Sequence, residues 1–276
     1  MESLEGISKA CHSVIREAGT LLINHFERPL NIRFKGQFNM VTEADLASER
    51  FILDALQQLT PDIPVMSEEE AETSGHVERD DCWMWVVDPL DGTTNFAHGF
   101  PHFCISIALL HAGIPQLGLI HHPVTQELWV AQRTRGASLN SIPCHVSASR
   151  TLESSILATG FPYRVRELEK NNLSEFCAFR LRSQGLRRTG AAALDLAYVA
   201  SGRLDGFWER WLKPWDIAAG WLIVLEAGGR VTDFSGSAMQ IGLPRIIASN
   251  GLIHEEMIAI LTHLWPKLPS EYLDAL

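Results

Sequence analysis

The sequence lacks several features that would assign it to a large class of proteins. Its five cysteines are widely spaced and include no Cys-x-x-Cys pair, a usage typical of reduced thiols in a cytoplasmic protein. No apolar run approaches the roughly 20 residues that a transmembrane helix needs. Residues 1–5 also lack the basic start of a signal peptide. We therefore expect a cytoplasmic protein without a membrane span.

Positive charge is also scarce. The chain has 33 acidic residues against 23 Lys and Arg, for a net charge of −10. Because no basic stripe supplies phosphate contacts, non-specific binding to nucleic acid or anionic lipid is not expected. One specific RNA or protein partner stays possible on these grounds. With 276 residues, of which 46% are hydrophobic, the chain can form one large domain or two layered subdomains.

The first half, residues 1–148, has the pattern of an α+β portion. Apolar residues at helical spacing predict a helix over residues 3–26, and Thr42 is a suitable N-cap for a second helix that ends near Gln58. Turn residues separate three later β-like stretches, which suggests an antiparallel meander. These stretches cover residues 104–111, 117–122 and 127–132.

The second half, residues 149–276, alternates strands and helices. Mixed strands with covering helices predict a layered α/β or α+β domain that forms one compact catalytic unit with the first half. The predicted strands cover residues 156–159, 185–188, 204–208, 230–233 and 245–248. The predicted helices cover residues 166–182, 191–200, 215–227 and 254–264.

The most informative stretch places two carboxylates three positions apart at the end of a strand. The apolar run 82–87 reads as a buried strand, so Asp88 emerges at its end. Pro89 is expected to turn the chain there, and Gly92 permits a tight backbone beyond Asp91. Two threonines then add hydroxyl groups. Carboxylates, amides and hydroxyls together suit a hard cation bridged to a phosphate.

Further acidic residues stand at other element junctions, namely Asp45, Glu68 and Asp216. Two carboxylates about 4 Å apart repel by roughly 4 kcal/mol at an effective dielectric near 20. If several of these groups converge, divalent cations are the natural compensation, and all-oxygen ligation favours Mg²⁺ over Zn²⁺. Each also has a simpler interpretation: an ordinary turn at Asp88, a helix start at Asp45 or Asp216, and a solvated face at the glutamates.

Such a site suits the hydrolysis of a phosphate monoester. Cations can polarise phosphoryl oxygens, lower the pKa of water and stabilise the leaving alkoxide. Thr93 is a candidate to orient the attacking water, with Asp45 as its hydrogen-bond acceptor. The backbone N–H groups of Gly92, Thr93 and Thr94 are candidates to hold the phosphate at a helix start.

With these motifs in place, the chain resembles the inositol monophosphatase family, most closely its bacterial SuhB-like branch. The family's first signature is similar to residues 85–96, and its second is similar to residues 215–220, followed by 226–229. A Glu-Glu element lies at 68–69 and a Val-Thr-x-x-Asp element at 41–45. The resemblance extends from about residue 5 to residue 265.

The resemblance implies a role for each matching position. It implies a first Mg²⁺ at Glu68, Asp88 and the carbonyl of Leu90, a second at Asp88, Asp91 and Asp216, and a weaker third at Glu68. It implies water activation by Thr93 and Asp45. For substrate binding it implies Gly92, Thr93, Thr94, Arg187, Gly190, Ala191, Ala192 and Glu209. It also implies a five-layered αβαβα sandwich, a homodimer and inhibition by Li⁺.

Some positions depart from the family pattern. Asn39 stands where many relatives have an acidic residue in a metal-binding loop, which bears on the third ion. The three consecutive glutamates 68–70 leave the assignment of Glu68 open by one position. Residues 210–213 are bulkier and more basic than usual, which leaves the sugar preference open.

The sequence thus predicts an enzyme that hydrolyses a small phosphorylated polyol, myo-inositol monophosphate. An alternative keeps the chemistry and changes the substrate to fructose 1,6-bisphosphate, 3′-phosphoadenosine 5′-phosphate, histidinol phosphate or NADP. Another alternative is a non-catalytic binding role in transcription or ribosome assembly, for which an exposed basic segment at 210–213 is the only local indication.

Overall fold

A computed structural model describes residues 3–26, 32–34, 40–69, 82–162 and 171–264, with the backbone alone at 32–34, 40–41 and 264. The helices are α1 (Leu4–Phe26), α2 (Glu43–Leu59), α3 (Thr93–Ala97), α4 (Leu173–Arg180), α5 (Ala192–Ala200), α6 (Pro214–Glu226) and α7 (His254–Leu264). The strands are β1 (Ile32–Phe34), β2 (Met40–Thr42), β3 (Val65–Ser67), β4 (Trp83–Asp91), β5 (Cys104–His111), β6 (Ile114–His122), β7 (Glu127–Gln132), β8 (Gly136–Leu139), β9 (Ile142–Pro143), β10 (Ile156–Thr159), β11 (Gly185–Arg187), β12 (Gly206–Arg210), β13 (Arg230–Thr232) and β14 (Arg245–Ser249).

These elements form five layers. A seven-stranded sheet has the order β3-β4-β5-β6-β7-β8-β9, and a five-stranded sheet has the order β11-β10-β12-β14-β13. Helices α1 and α2 cover the outer face of the larger sheet, while α5 and α6 lie between the two sheets. Helices α4 and α7 contact each other and the smaller sheet. The predicted αβαβα sandwich is therefore confirmed.

The large sheet divides the core into two clusters, because successive side chains of its strands point to opposite faces. On β4, Trp85 and Val87 pack in the cluster under α1 and α2, whereas Val86 packs in the cluster around α5 and α6. Successive side chains of a strand point to opposite faces, so a strand buried on both faces must be apolar throughout. This explains why the run that precedes Asp88 lacks the polar alternation of a surface strand.

Close approach between layers depends on small residues. A Cβ on Gly118 of β6 would lie 2.8 Å from the carbonyl oxygen of Ala219 in α6. Likewise, a Cβ on Gly220 of α6 would lie 2.6 Å from side-chain atoms of Leu196 in α5. The central helices can therefore pack against the large sheet and each other only because these positions carry no side chain.

Most predicted elements are confirmed. Helix α1, helix α2 and the meander β5-β6-β7 occupy the expected segments, and the side chain of Thr42 caps α2. Helix α4, Leu173–Arg180, lies within the segment 166–182 that was predicted to be helical. The predicted loop at 71–81, Asn39 and residues 163–170 lie outside the described residues.

The division near residue 148 remains a prediction. The largest core cluster contains side chains from both portions, such as Trp129 and Phe207, which is expected if the two portions fold as one unit. Among the helices that the structure describes, none has both the length and the apolar character that crossing a membrane requires.

Candidate active site

An extra residue in β4 brings two carboxylates to the same side of the sheet. Along β5, Asp88 pairs with Ser106 and Asp91 pairs with Cys104, so three steps on β4 oppose two steps on β5. In a regular strand, residues three apart point to opposite faces, and one inserted residue reverses that relation. The bulge therefore lets Asp88 and Asp91 face a common point.

The structure corrects one expectation at this place. Pro89 does not turn the chain out of the sheet, because β4 continues through it to Asp91. The bulge explains this, since an irregular position tolerates a residue without an N–H donor. The carbonyl of Pro89 accepts a hydrogen bond of 2.9 Å from the hydroxyl of Ser48 on α2, so the bulge is also fixed from the helical layer.

A second feature joins Thr93 to Asp45 across 48 residues of sequence. Gly92 adopts a left-handed conformation, with φ of 94°, and starts the short helix α3. The Thr93 hydroxyl lies 3.1 Å from Oδ1 of Asp45 and 3.0 Å from the carbonyl oxygen of Leu90. The other oxygen of Asp45 accepts from the backbone N–H of Thr42 at 2.8 Å. Asp45 therefore holds the start of α2 and contacts Thr93 at the same time.

Asp91 and Asp216 each accept a hydrogen bond from a backbone N–H at the start of a helix. Oδ2 of Asp91 accepts a hydrogen bond of 2.7 Å from the N–H of Ala193 in the first turn of α5. Oδ2 of Asp216 accepts one of 2.6 Å from the N–H of Lys213 at the start of α6. Unpaired amides and the helix dipole both favour an anion at such a place. Asp216 is therefore a third-position acceptor within the helix rather than its N-cap.

The charge of Glu68 acts on the same group of acids. Burial raises the pKa of Asp88 well above its ordinary value, and the charges that add to this effect belong to Glu68, Asp91 and Asp216. Of the two described glutamates of the run, Glu69 instead donates its backbone N–H to Glu49. The interaction with Asp88 thus favours the assignment to Glu68, while Glu70 lies outside the described residues.

Beyond Asp91, a second group of acids continues the site. Glu209 on β12 is 8% exposed. Burial raises its pKa well above the ordinary value, and the charges of Asp195, Asp216 and Asp91 raise it further. Asp195 on α5 is buried and accepts a hydrogen bond of 2.7 Å from the hydroxyl of Thr189. The charge of Arg188 acts in the opposite direction on the pKa of both acids.

The arginine that approaches this group is not the predicted one. Arg187 is exposed, and its guanidinium donates to the carbonyl of the preceding residue. Arg188 instead lies beside Gly190, where an added Cβ would be 3.0 Å from its Nη1 and 3.3 Å from Asn95. Adjacent residues of an extended segment point to opposite sides, which explains the difference. Gly190, Ala191 and Ala192 lead into α5 and end directly before the N–H that holds Asp91.

Comparisons with known proteins show which family the chain belongs to. The sequence profile of the inositol monophosphatase family matches residues 3–265. The chain belongs to the inositol monophosphatase family. It is 45% identical to an inositol-1-monophosphatase of Synechocystis sp. over 87% of this chain and 83% of that protein. It is 43% identical to the Nus factor SuhB of Pseudomonas aeruginosa over 92% of this chain and 94% of that protein.

Solved structures support the same assignment. The fold matches that of an inositol monophosphatase from Anabaena (Nostoc) sp. PCC 7120 with a TM-score of 0.85 and 39% identity, covering 94% of this chain and 96% of that chain. Family membership identifies this chain as a phosphatase, a class of hydrolase, and the family is generally metal-dependent.

The acidic group of this family member fits a hard cation by its chemistry. Burial raises the pKa of Asp91 to about 7 and that of Asp216 to about 6; the charge of Asp216 adds to the first shift, while the Lys213 amide and ammonium oppose the second. A cation among these oxygens would remove the repulsion. Within the described ranges, however, no three His, Cys, Asp or Glu side chains are already set around one ion position. The donors therefore fit in type, and closing on an ion would require their side chains to move.

The structure overturns the expectation of an exposed basic segment at 210–213. Arg210 is 6% exposed and forms an ion pair of 2.8 Å with buried Glu175, and its guanidinium lies over the ring of Phe234. Lys213 is the exposed cation of the segment. The charge of Arg210 is paired with Glu175 inside the fold, so residues 210–213 do not form a basic surface for a partner.

Sequence reasoning missed two residues of the site, Asp195 and Arg188. Asp195 stands in an apolar helical run, where a lone acid is an unusual choice. This was the available signal for a buried functional group. Arg188 could not be separated from Arg187 without knowing which side of the chain faces the acids.

The raised pKa values predict how stability changes with pH when divalent cations are removed. A carboxyl whose folded pKa lies above its unfolded value near 3.8 holds its proton longer in the folded state, so ionisation costs stability as pH rises. For Asp91 the loss should extend from about pH 4 to about pH 7. The Asp91→Asn variant should therefore gain stability relative to wild type across this range, measured by urea unfolding in EDTA.

The exposed Asp62→Asn variant is a matched control and should follow wild type at every pH. Excess Mg²⁺ should reduce the difference between Asp91→Asn and wild type, because the cation would compensate the same charge. A difference between these two proteins in EDTA that is constant from pH 4 to pH 8 would contradict the electrostatic origin.

Proposed function

We propose that this protein is a Mg²⁺-dependent phosphomonoesterase that hydrolyses myo-inositol monophosphate by direct attack of water. The observation that carries the proposal is that the charges of Glu68, Asp91 and Asp216 act together on Asp88, from three separate parts of the chain, beside the Thr93–Asp45 contact. Like charges gather in this way at sites that bind cations. Membership of the inositol monophosphatase family supports the reaction class.

The chain's own oxygens divide into sets that would hold the ions. Following the family, the first Mg²⁺ would be held by Glu68, Asp88 and the carbonyl of Leu90, and the second by Asp88, Asp91 and Asp216. Glu68 would also serve a weaker third ion. When bound, Mg²⁺ would polarise the phosphoryl oxygens, lower the pKa of water and stabilise the leaving oxygen.

Thr93 and Asp45 position the attacking water in this scheme. The Thr93 hydroxyl has one proton, and Asp45 at 3.1 Å is the charged acceptor for it. With that proton committed, the lone pairs of the hydroxyl face a water and orient it towards phosphorus. Asp45 is fixed by two donors from Thr42, so the hydroxyl is oriented before substrate arrives.

The phosphate is held by the backbone where α3 begins. The first N–H groups of a helix have no partner within it and point towards an anion. In this chain they belong to Gly92, Thr93 and Thr94. Gly92 has a left-handed backbone conformation, and a Cβ built on it would lie 3.0 Å from the carbonyl oxygen of His102. A side chain here would therefore disturb the loop that presents these amides.

The acid-rich end of the site favours a neutral alcohol as leaving group. Glu209 and Asp195 are buried together, with the charge of Arg188 as the opposing influence on both. A second phosphate, as in fructose 1,6-bisphosphate or 3′-phosphoadenosine 5′-phosphate, would meet like charge there. Hydroxyl groups can donate to both carboxylates. Gly190, Ala191 and Ala192 supply the backbone beside the polyol.

Three further properties belong to the same proposal and follow from the family resemblance. They are inhibition by Li⁺, assembly into a homodimer and a cytoplasmic location.

Asp91, the carboxylate at the end of the bulge, is needed for turnover if the site binds Mg²⁺. The Asp91→Asn variant should lose at least about 10³-fold in kcat with inositol 1-phosphate and Mg²⁺, because an amide cannot compensate a divalent cation. Its circular dichroism spectrum should match wild type. The exposed Asp62→Asn variant should keep full activity. Turnover that survives in EDTA, or near-normal turnover by Asp91→Asn, would remove the metal site from the reaction.

The two neighbouring arginines should differ in their effect on substrate binding. Arg188→Ala should raise KM for inositol 1-phosphate about fivefold, which corresponds to about 1 kcal/mol for a solvent-exposed charge. Arg187→Ala, the matched neighbour, should stay within about twofold of wild type since its side chain contacts its own strand. Steady-state kinetics on both variants provides the test. The reverse order would restore Arg187 as the residue beside the substrate.

A second candidate function is a binding role in transcription, independent of catalysis. The supporting observation is that relatives with about 40% identity are named Nus factor SuhB, over roughly 90% of both chains. Immobilised Asp91→Asn protein should then retain the host's purified transcription machinery at physiological salt as wild type does. An absence of retention by both proteins would contradict this role and leave the hydrolase proposal untouched.

A further inference from the structure

Gly160 is placed directly against the carboxylate of Glu209. It follows β10, which pairs in parallel with β12 so that Thr159 is opposite Trp208. Because the two strands are parallel, the next residues, Gly160 and Glu209, also lie side by side. A Cβ built on Gly160 would lie 2.1 Å from Oε1 and 2.3 Å from Cδ of Glu209. Real Cβ atoms do not approach heavy atoms within 3.0 Å, so any other residue here displaces the carboxylate.

Buried hydrogen bonds keep the backbone of Gly160 from moving away. The side-chain amide of Asn172 donates to the carbonyl of Gly160 at 2.6 Å and to the hydroxyl of Thr159 at 2.7 Å. Its carbonyl accepts from the indole of Trp208 at 2.7 Å. Asn172 is fully buried. Because breaking a satisfied buried network is costly, a methyl group on residue 160 would be accommodated by Glu209.

The Glu209 carboxylate has little else to fix it. It accepts no hydrogen bond from the described residues, and its flanking charges, Asp195 and Asp216, repel it. Among the described charges with the largest effect on the pKa of Glu209, that of Arg188 is the attractive one. Steric contact with the Gly160 backbone is therefore the short-range restraint on the carboxylate that the described contacts show.

We propose that Gly160 is a positioning residue: it sets where the Glu209 carboxylate stands, and thereby how strongly the site prefers a polyol leaving group. This inference rests on the proposed function. It assigns no contact between Gly160 and substrate. Its effect acts through Glu209 on the alcohol, and the metal ligands and the Thr93–Asp45 contact are left as they are.

The test uses two phosphate esters and a matched pair of glycine variants. Gly160→Ala should lower kcat/KM for inositol 1-phosphate by about 10- to 100-fold, the range for a misplaced substrate contact. With p-nitrophenyl phosphate, whose leaving group has no vicinal hydroxyls, it should stay within about twofold of wild type. Gly185→Ala in neighbouring β11 should leave both substrates unchanged, since its Cβ would meet only the flexible end of Arg187, at 3.2 Å.

A compensating variant separates positioning from general damage. Aspartate is one methylene shorter than glutamate, so Gly160→Ala combined with Glu209→Asp should recover part of the inositol 1-phosphate activity that Gly160→Ala loses. Equal losses on both esters, or no recovery in the double variant, would overturn the inference.

A crystal structure of Gly160→Ala provides a readout that does not depend on turnover. A displaced Glu209 carboxylate supports the inference, and an unmoved one overturns it. If wild type hydrolyses neither ester, the proposed function fails, and this structure still decides whether Gly160 positions Glu209.

Discussion

The arrangement of this site depends on the repulsion between carboxylates, of which Asp88 is buried and Asp91 and Asp216 are half-buried. Asp88, Asp91 and Asp216 are held close enough that each ionisation opposes another. A fold with stability alone as its requirement would separate them or pair them with cationic side chains. The surrounding structure instead brings them together by a strand bulge and two helix starts. Stability is thereby given up locally, which is typical of residues that act on a ligand.

The same backbone features that gather the acids also limit the repulsion. Each of the three aspartates directs one oxygen to a backbone amide, from Leu90, Ala193 or Lys213. An amide fixes the orientation of a carboxylate and lowers its charge density without supplying a competing cation. The second oxygen can then face the common point. Helix starts are suited to this work because their first amides lack partners within the helix.

Much of this could be predicted from the sequence because the signals are local. The apolar run before Asp88, the N-cap at Thr42 and the turn at Gly92 each follow from neighbouring residues. The position of Pro89 within the strand could not be predicted, because the bulge depends on pairing with β5. The interpretation of Arg210 as a basic surface was wrong for a similar reason: its partner Glu175 lies 35 residues away.

The two ends of the site differ in how tightly they are fixed, and this bears on specificity. At the phosphate end, the Thr93 hydroxyl and the carboxylates of Asp45, Asp88, Asp91 and Asp216 each have a defined hydrogen-bond partner, so little can change there without losing the reaction. At the alcohol end, Glu209 is restrained by contact with Gly160 and by charges that act from Asp195 and Arg188. Steric and electrostatic restraints can be altered by one substitution while the strands stay in register. A family that keeps one reaction and changes its alcohol would therefore vary this end, and the substrate of each member is better sought in the surroundings of Glu209 than in the metal ligands.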